Sequence, residues 1–225
     1  HLDLEKRFTG WVDIDLTQNG ISEAEKAGLL IKKENIEIDF YYSSLQLRAN
    51  NTLDIIQKVL KDKKNFSRAW QLNERHYGAL TGLNKIEMTK KIGEDKVHEF
   101  RRSWDIKPDA LDKKSEYHPI NIKTYNNIPR ELIPDSESLK DTYKRVIKYF
   151  EDEIKKKLVN NNVLISAHGN SIRALCKKLF NLNNNQISNL EIPTGNPLVI
   201  ELNKQLKITK CKYLDEKRAK DLLVF

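Results

Sequence analysis

Two places along the chain put reactive side chains where an extended run hands over to a helix. Val163-Leu164-Ile165-Ser166-Ala167 is a compact apolar strand that ends in His168-Gly169-Asn170-Ser171 before a helical stretch. An imidazole and a small-residue turn at a helix N-terminus suit a phosphate or a carboxylate, because the first N–H groups there have no helical partner. Asn170 or Ser171 could simply cap the helix, but a cap leaves the His-Gly pair unexplained. Ser43-Ser44-Leu45-Gln46-Leu47-Arg48-Ala49 follows a second β-prone run. If Ser44 caps the helix there, Arg48 lies about one turn in, where the dipole disfavours a cation unless an anion shares that end. The plainer alternative is a surface arginine on a helix face.

Glu74-Arg75-His76-Tyr77-Gly78 gathers an acid, two bases and a phenol in one loop. A carboxylate in a partly dry pocket has its pKa raised by desolvation, which suits general acid–base work near neutrality. Taken alone, such a segment is also an ordinary solvated loop. Arg101-Arg102 sets two guanidiniums side by side near a helix C-terminus. The dipole accounts for one of them, and bidentate phosphate binding accounts better for a pair. Lys85, in Gly82-Leu83-Asn84-Lys85, adds a cation. A metal site is not suggested: Cys176 and Cys211 are far apart, and His76, His98, His118 and His168 show no ligand spacing. No glycine-rich phosphate loop of the Walker type occurs. Cys176 falls on an apolar helix face and reads as core packing.

The elements that must hold these groups follow from periodicity. Residues 17–33 read as a helix with Ala24, Ala27, Leu30 and Ile31 on one stripe, capped by Thr17 or Ser22. Residues 36–42 form a short β-prone run, and residues 45–61 a helix with Ala49, Ile56 and Leu60 among its inward positions. Residues 66–70 are a second strand candidate. The stretch 72–134 contains short helices near 84–92 and 95–102, then Pro108, Pro119, Pro129 and Pro134. It reads as a loop-rich insertion, and long ordered loops tend to be functional. Residues 138–158 give the clearest helix, 163–167 a strand, 171–178 and 184–190 further helices, and 197–202 with 207–213 a closing strand pair. Strands alternating with helices predict an α/β fold, three-layer α/β/α with a mainly parallel sheet, in a single domain over residues 1–225. Ligands bind such sheets beyond the carboxyl ends of the strands, where both reactive stretches fall.

Composition sets outer bounds. At 225 residues the chain suits one core. No apolar run approaches the ~20 residues of a membrane span. Forty Lys+Arg against 32 Asp+Glu give a net charge of +8, which leaves an enzyme for anionic metabolites, an anionic-membrane binder or a nucleic-acid binder. Most basic residues are lysines beside Asn and Glu, the pattern of a solvated surface, and no nucleic-acid-binding motif is present. Two cysteines are too few for a disulfide scaffold, so a reducing cytoplasm is expected. The chain starts with His1 and its single methionine is Met88; a sequence truncated at the N-terminus is the expectation.

Taken in order, several strings resemble the cofactor-dependent phosphoglycerate mutases of the histidine phosphatase superfamily. They are Arg7-Phe8-Thr9-Gly10-Trp11, Ser43-Ser44 through Arg48-Ala49, Leu72-Asn73-Glu74-Arg75-His76-Tyr77-Gly78-Ala79-Leu80 and Gly82-Leu83-Asn84-Lys85. Arg101-Arg102-Ser103, Glu137-Ser138-Leu139-Lys140-Asp141-Thr142, Ala167-His168-Gly169-Asn170-Ser171 and Ile192-Pro193-Thr194-Gly195 complete the set, which spans nearly the whole chain. The resemblance implies interconversion of 3-phosphoglycerate and 2-phosphoglycerate through a phosphohistidine, primed by 2,3-bisphosphoglycerate, without a metal, in glycolysis and gluconeogenesis. It implies Glu74 as the proton donor and acceptor for the substrate hydroxyl, and His168 as the group that stabilises the transferring phosphoryl. Thr9, Gly10, Arg48, Arg75, His76, Tyr77, Lys85, Arg101, Arg102, Gly169 and Asn170 would bind the phosphates and carboxylate of a small phosphorylated acid. A homodimer or homotetramer is implied, with no nucleic acid and no membrane as partner.

The resemblance also marks departures. The family's nucleophile lies in an Arg-His-Gly motif ending the first, central strand, and the register from Arg7 puts that position before residue 1. His1 comes too late to serve. The expectation is therefore a sheet without its first central strand, leaving two open edges, and a polypeptide that does not turn over. Asp3 stands where the family has an Asn, Gln71 where it commonly has an Arg, and residues 215–225 are unlike the usual lid. The alternatives are a phosphatase or bisphosphoglycerate synthase of the same superfamily, or a catalytically dead binding module.

Overall fold

Tyr41 and Tyr42 are neighbours on one strand, and their side chains go to opposite faces of the sheet, the alternation of extended chain. Tyr41 joins a cluster with Ile38 and Leu53, and Tyr42 one with Val146, Phe150, Ala174 and Leu175. That split sorts the helices into two layers. The computed structural model describes residues 6–219 of the chain. Within them β1 (Phe40–Ser43), β2 (Phe66–Arg68) and β3 (Val163–Ser166) form a parallel sheet in the order β2-β1-β3. On one face lie α1 (Gln18–Lys33) and α2 (Leu47–Leu60), through Ala27, Ile31 and Ile56 against Leu164. After β2 the chain passes through α3 (Lys85–Ile92) and α4 (Glu94–Arg102). It then covers the other face with α5 (Leu139–Tyr149) and α6 (Gly169–Leu179). The expected three-layer α/β/α architecture is the one the chain adopts.

A short α7 (Asn184–Asn189) leads to β4 (Leu198–Leu202) and β5 (Ile208–Tyr213), which pair antiparallel in a sheet of their own. That hairpin packs on α6 through Leu198, Ile200 and Cys176. Among the described residues β3 and β4 each have one strand partner, and Val163, Leu164, Ile165, Leu198, Val199 and Ile200 stay half-buried. Parallel strands of a doubly wound sheet are normally covered on both faces, so these strands are incompletely covered.

Element ends follow local chemistry, with two departures from periodicity. Thr17 caps α1 by accepting the Gly20 N–H at 3.1 Å, and Ser138 and Asp141 form a reciprocal capping box on α5. α5 does not run on to residue 158 as a regular helix: it widens into a π turn over Phe150–Ile154 and ends in a 3-10 turn, which keeps Phe150 and Ile154 both in the core. Ser44 does not cap α2. Ser43 is the last residue of β1, Gln46 is the N-cap, and Asp13 Oδ1 accepts the Leu47 N–H at 2.7 Å from outside the helix. The buried face of α2 accordingly includes Leu53 and Gln57. The proline-rich segment after α4 is pinned by buried aromatics, with Trp11, Tyr125 and Ile128 in one cluster and the Tyr125 hydroxyl donating to the Trp11 carbonyl at 2.6 Å.

Candidate active site

Ser43 of β1 pairs in register with Ser166 of β3, so the carboxyl ends of the two strands lie side by side. The residues just beyond them meet: Ser44 Oγ and His168 Nε2 are 2.8 Å apart, and both residues are buried. Ser44 Oγ also accepts the Gln46 N–H at 3.1 Å. Gln46 is wholly buried and works in two directions, accepting the Glu74 N–H on Oε1 at 2.7 Å and donating Nε2–H to the Gly10 carbonyl at 2.8 Å. Arg48 reaches the same Gly10 carbonyl from Nη2 at 2.9 Å and the Val12 carbonyl from Nη1 at 3.1 Å. One connected set of hydrogen bonds thus joins Gly10, Ser44, Gln46, Arg48, Glu74 and His168. Gly10 has φ +51, and a Cβ there would stand 3.2 Å from the Arg75 carbonyl oxygen and 3.3 Å from the Tyr77 nitrogen. The turn before α1 and the Glu74 loop approach backbone to backbone in a left-handed conformation, where a side chain would be both strained and tight.

The Glu74 loop is gripped from below by a buried ion pair. Arg145, on α5, meets Glu137 through Nε at 2.6 Å and Nη2 at 2.8 Å. Its remaining N–H groups donate to the carbonyls of Gln71 (2.7 Å), Asn73 (3.0 Å) and Glu74 (2.9 Å). Burial alone would raise the Glu137 pKa, but the Arg145 charge and hydrogen bond, with the His76 N–H, hold the carboxyl below its ordinary range. Arg75 and His76 sit beneath the site and have no exposed surface. Arg75 donates to the carbonyls of Glu137 (2.8 Å) and Ile106 (3.3 Å) and lies 5.3 Å from the Tyr77 ring centroid. His76 Nδ1 accepts the Gly78 N–H at 2.8 Å, so its proton is on Nε2, and burial pulls the imidazole down to about 4. His168 is likewise held well below the ordinary histidine range, by burial first and then by the charges of Arg48 and Arg145. Both rings are neutral at pH 7.

Above this network opens a cleft of about 600 Å³, lined by Tyr77, Arg101, Arg102, Gly169, Asn170 and Arg173 on one side and by residues 191–194 and 217–218 on the other. The Tyr77 hydroxyl accepts Asn170 Nδ2–H at 3.0 Å, and Asn170 Oδ1 accepts Arg173 Nη1–H at 2.8 Å. Arg102 is tied to Glu191 Oε1 at 2.6 Å and to the Leu190 carbonyl at 3.2 Å, whereas Arg101 is exposed. Lys85 opens α3 with its ammonium 5.7 Å from the Phe8 ring centroid, and that ring is 5.2 Å from Tyr77. Thr9 is half-buried in the turn beside them.

The residues singled out from sequence therefore fall into four places. Glu74, His168, Arg48 and Gly10 share the hydrogen-bond network; Tyr77, Arg101, Arg102, Gly169 and Asn170 line the cleft; Lys85 and Thr9 flank it through Phe8; Arg75 and His76 support it from beneath. His1 and Asp3 lie outside the described residues. Gln71 contributes through its backbone carbonyl. Sequence reasoning missed Ser44 and Gln46 as connectors, Arg145 and Arg173. The signal for Arg173 was readable: it stands three residues after Asn170, on the same helix face, between the apolar neighbours Ile172 and Ala174.

A sequence profile of the histidine phosphatase superfamily (branch 1) matches residues 1–118 and 111–211. The chain belongs to the histidine phosphatase superfamily. It is 66% identical over 224 residues to the 2,3-bisphosphoglycerate-dependent phosphoglycerate mutase of Pelagibacter ubique, covering 99% of this chain and 94% of that relative. It is 49% identical over 219 residues to the protein of the same name from Borreliella burgdorferi, covering 96% and 88%. Identity at this level, over this span, puts it with the phosphoglycerate mutases of the superfamily. Solved structures share its fold. A mycobacterial glucosyl-3-phosphoglycerate phosphatase matches with TM-score 0.69 at 16% identity over 94% of this chain and 92% of that one. The α-ribazole phosphatase of Shigella flexneri matches with TM-score 0.66 at 16% identity, covering 99% and 94%. No helix among the described residues is long and apolar enough to cross a membrane.

Proposed function

We propose that the chain interconverts 3-phosphoglycerate and 2-phosphoglycerate. The observation that carries this reading is the hydrogen-bond set that brings Glu74 and His168 together beside a cation-lined cleft. Phosphoryl transfer needs little covalent work from the protein and much positioning and charge stabilisation. Glu74 is suspended by its own N–H on Gln46, and its Oε1 accepts the Arg75 N–H at 2.6 Å, which leaves Oε2 to take and return the proton of the substrate hydroxyl. His168, neutral and fixed through Ser44, faces the phosphoryl group as a hydrogen-bonding ring. The first N–H groups of α6, at Gly169 and Asn170, point the positive end of the helix dipole at the same place. Arg48, Arg101, Arg102, Lys85 and Tyr77 neutralise and orient the remaining phosphate and carboxylate charge.

The relatives' name brings 2,3-bisphosphoglycerate to this reading. When bound, it supplies the phosphoryl group that charges the nucleophilic histidine. In this reading protein side chains rather than a metal supply the cations, and the enzyme works in the cytoplasm as a homodimer or homotetramer.

The test supplies the protein with 3-phosphoglycerate, with and without a trace of 2,3-bisphosphoglycerate. With the primer, 2-phosphoglycerate should form, and without it nothing. Release of glycerate and inorganic phosphate as the main products would make it a phosphatase instead.

A further inference from the structure

Helix α2 opens on a residue that does not cap it. N-cap positions favour Ser, Thr, Asp or Asn, whose short side chains reach back to the first free N–H groups. Gln46 stands at that position, and its side chain makes no bond to the helix. Its amide has no exposed surface and serves two other segments instead, with Oε1 accepting the Glu74 N–H at 2.7 Å and Nε2 donating to the Gly10 carbonyl at 2.8 Å. Those partners fix which way the amide faces, since exchanging O and N would set N–H against N–H and carbonyl against carbonyl. The main-chain N–H of the same residue goes to Ser44 Oγ at 3.1 Å, and that oxygen is 2.8 Å from His168 Nε2. Glu74 and His168 are therefore both referred to one residue, the first through its side chain and the second through its backbone. A leucine would fill similar core volume without the cost of burying an amide, and it would make neither side-chain bond.

We infer that Gln46 is a positioning residue that fixes the Glu74 carboxylate relative to the His168 ring, so that proton transfer at the substrate hydroxyl and phosphoryl transfer share one geometry. The effect belongs to turnover rather than to binding. Arg101, Arg102, Gly169 and Asn170, which line the cleft, are carried by α4 and α6. If the amide is removed, the Gly10 carbonyl still has the Arg48 guanidinium at 2.9 Å and the backbone bond to Ser44 survives, so the loss falls on Glu74. This inference rests on the mutase reading and adds to it the residue that keeps the two transfers in register.

Steady-state kinetics of the full chain with 3-phosphoglycerate and primer test it. Gln46→Met should lower kcat by roughly 10- to 100-fold, the cost of a displaced catalytic group, with KM changed by less than about threefold. In a Glu74→Gln background the same change should cost less than about threefold in kcat, because the group it places is already disabled. Gln46→Asn supplies a favoured N-cap but is one methylene too short to reach Glu74; it should lose kcat to a similar extent and decides alone if the methionine variant does not give a cooperative melt. A raised KM at unchanged kcat, or an undiminished loss in the Glu74→Gln background, would overturn the assignment. Amide exchange at Glu74, followed by NMR, reads the placement without turnover: it should be at least about tenfold faster in the variants, and equal exchange would also overturn it. A wild-type chain with no primer-dependent turnover would count against the mutase reading, and the exchange rates would then decide for or against Gln46.

Discussion

The side chains of Gln46 and Arg145 hold the Glu74 backbone, while its carboxylate accepts the N–H of its neighbour Arg75, which makes the role of the carboxylate separable from binding. Glu74→Gln keeps the shape and the Gln46 contact but removes the base, so kcat should fall by about 10²–10⁴ while the dissociation constant for 3-phosphoglycerate stays within a few-fold; an unchanged kcat would strip the residue of its role. The Arg48 guanidinium braces the Gly10 and Val12 carbonyls, and the proposed function gives it the ligand's charge as well. Arg48→Ala should cost about 1.5–3 kcal/mol of ligand affinity, read by titration, and Arg102→Ala a similar amount after its Glu191 pair is discounted. Glu74, Arg48 and His168 were legible in the sequence because unusual residue types follow strand-like runs directly. His76 was legible as a motif member but not as a buried support, since nothing in the string Glu-Arg-His-Tyr says which of its side chains turn inward. That choice is made by Glu137, sixty-one residues away in sequence, which accepts the His76 N–H.

At the level of elements, the site is an arrangement of loops hung on two strand ends and clamped by one helix. The clamp is Arg145 on α5, and its worth can be measured. Arg145→Met leaves Glu137 buried and uncompensated and frees three carbonyls of the Glu74 loop. Removing one partner of such a pair costs about 3–5 kcal/mol, so a large loss of urea midpoint is expected; a loss under about 1 kcal/mol would mean the loop holds itself. Gly78, with φ +55, has the Asp109 carbonyl oxygen 2.1 Å from where a Cβ would stand. Gly78→Ala should therefore push the insertion away from the loop and lower the melting temperature more than an alanine at Gly93, where the space is open. Helix and strand positions were readable from periodicity to within a few residues. The N-cap of α2 was not, because the side chain that satisfies its first turn is Asp13, from a segment that no local pattern connects to it. The π turn after α5 was hidden for a similar reason: the apolar spacing continues smoothly through it, and only packing against β1 and α6 shows the widening.

For the molecule as a whole, buried neutral imidazoles set an acid limit. In the unfolded chain His76 titrates near ~6.5, whereas folded it titrates at about 4. The unfolded state therefore holds more protons between these values, so stability is full above pH ~7 and declines as pH falls through the window. The share of His76 is roughly 3 kcal/mol, and the depressed His168 steepens the decline. Urea midpoints at pH 7.5 and pH 5 should differ accordingly, and His76→Gln should flatten the difference; equal midpoints in the wild type would contradict the neutral assignment. The sheet was legible as parallel and three-layered, but its division into a three-stranded sheet and a separate hairpin reflects which edges find partners in space. The charge of the cleft reaches further, into the medium: Arg101, Arg102, Arg173, Lys217 and Arg218 line it against a single acid, Glu191. Sulfate, citrate and phosphate from a buffer will compete for such a cleft, whereas chloride at matched ionic strength mainly screens it. Apparent affinities should then follow the identity of the salt rather than its concentration alone.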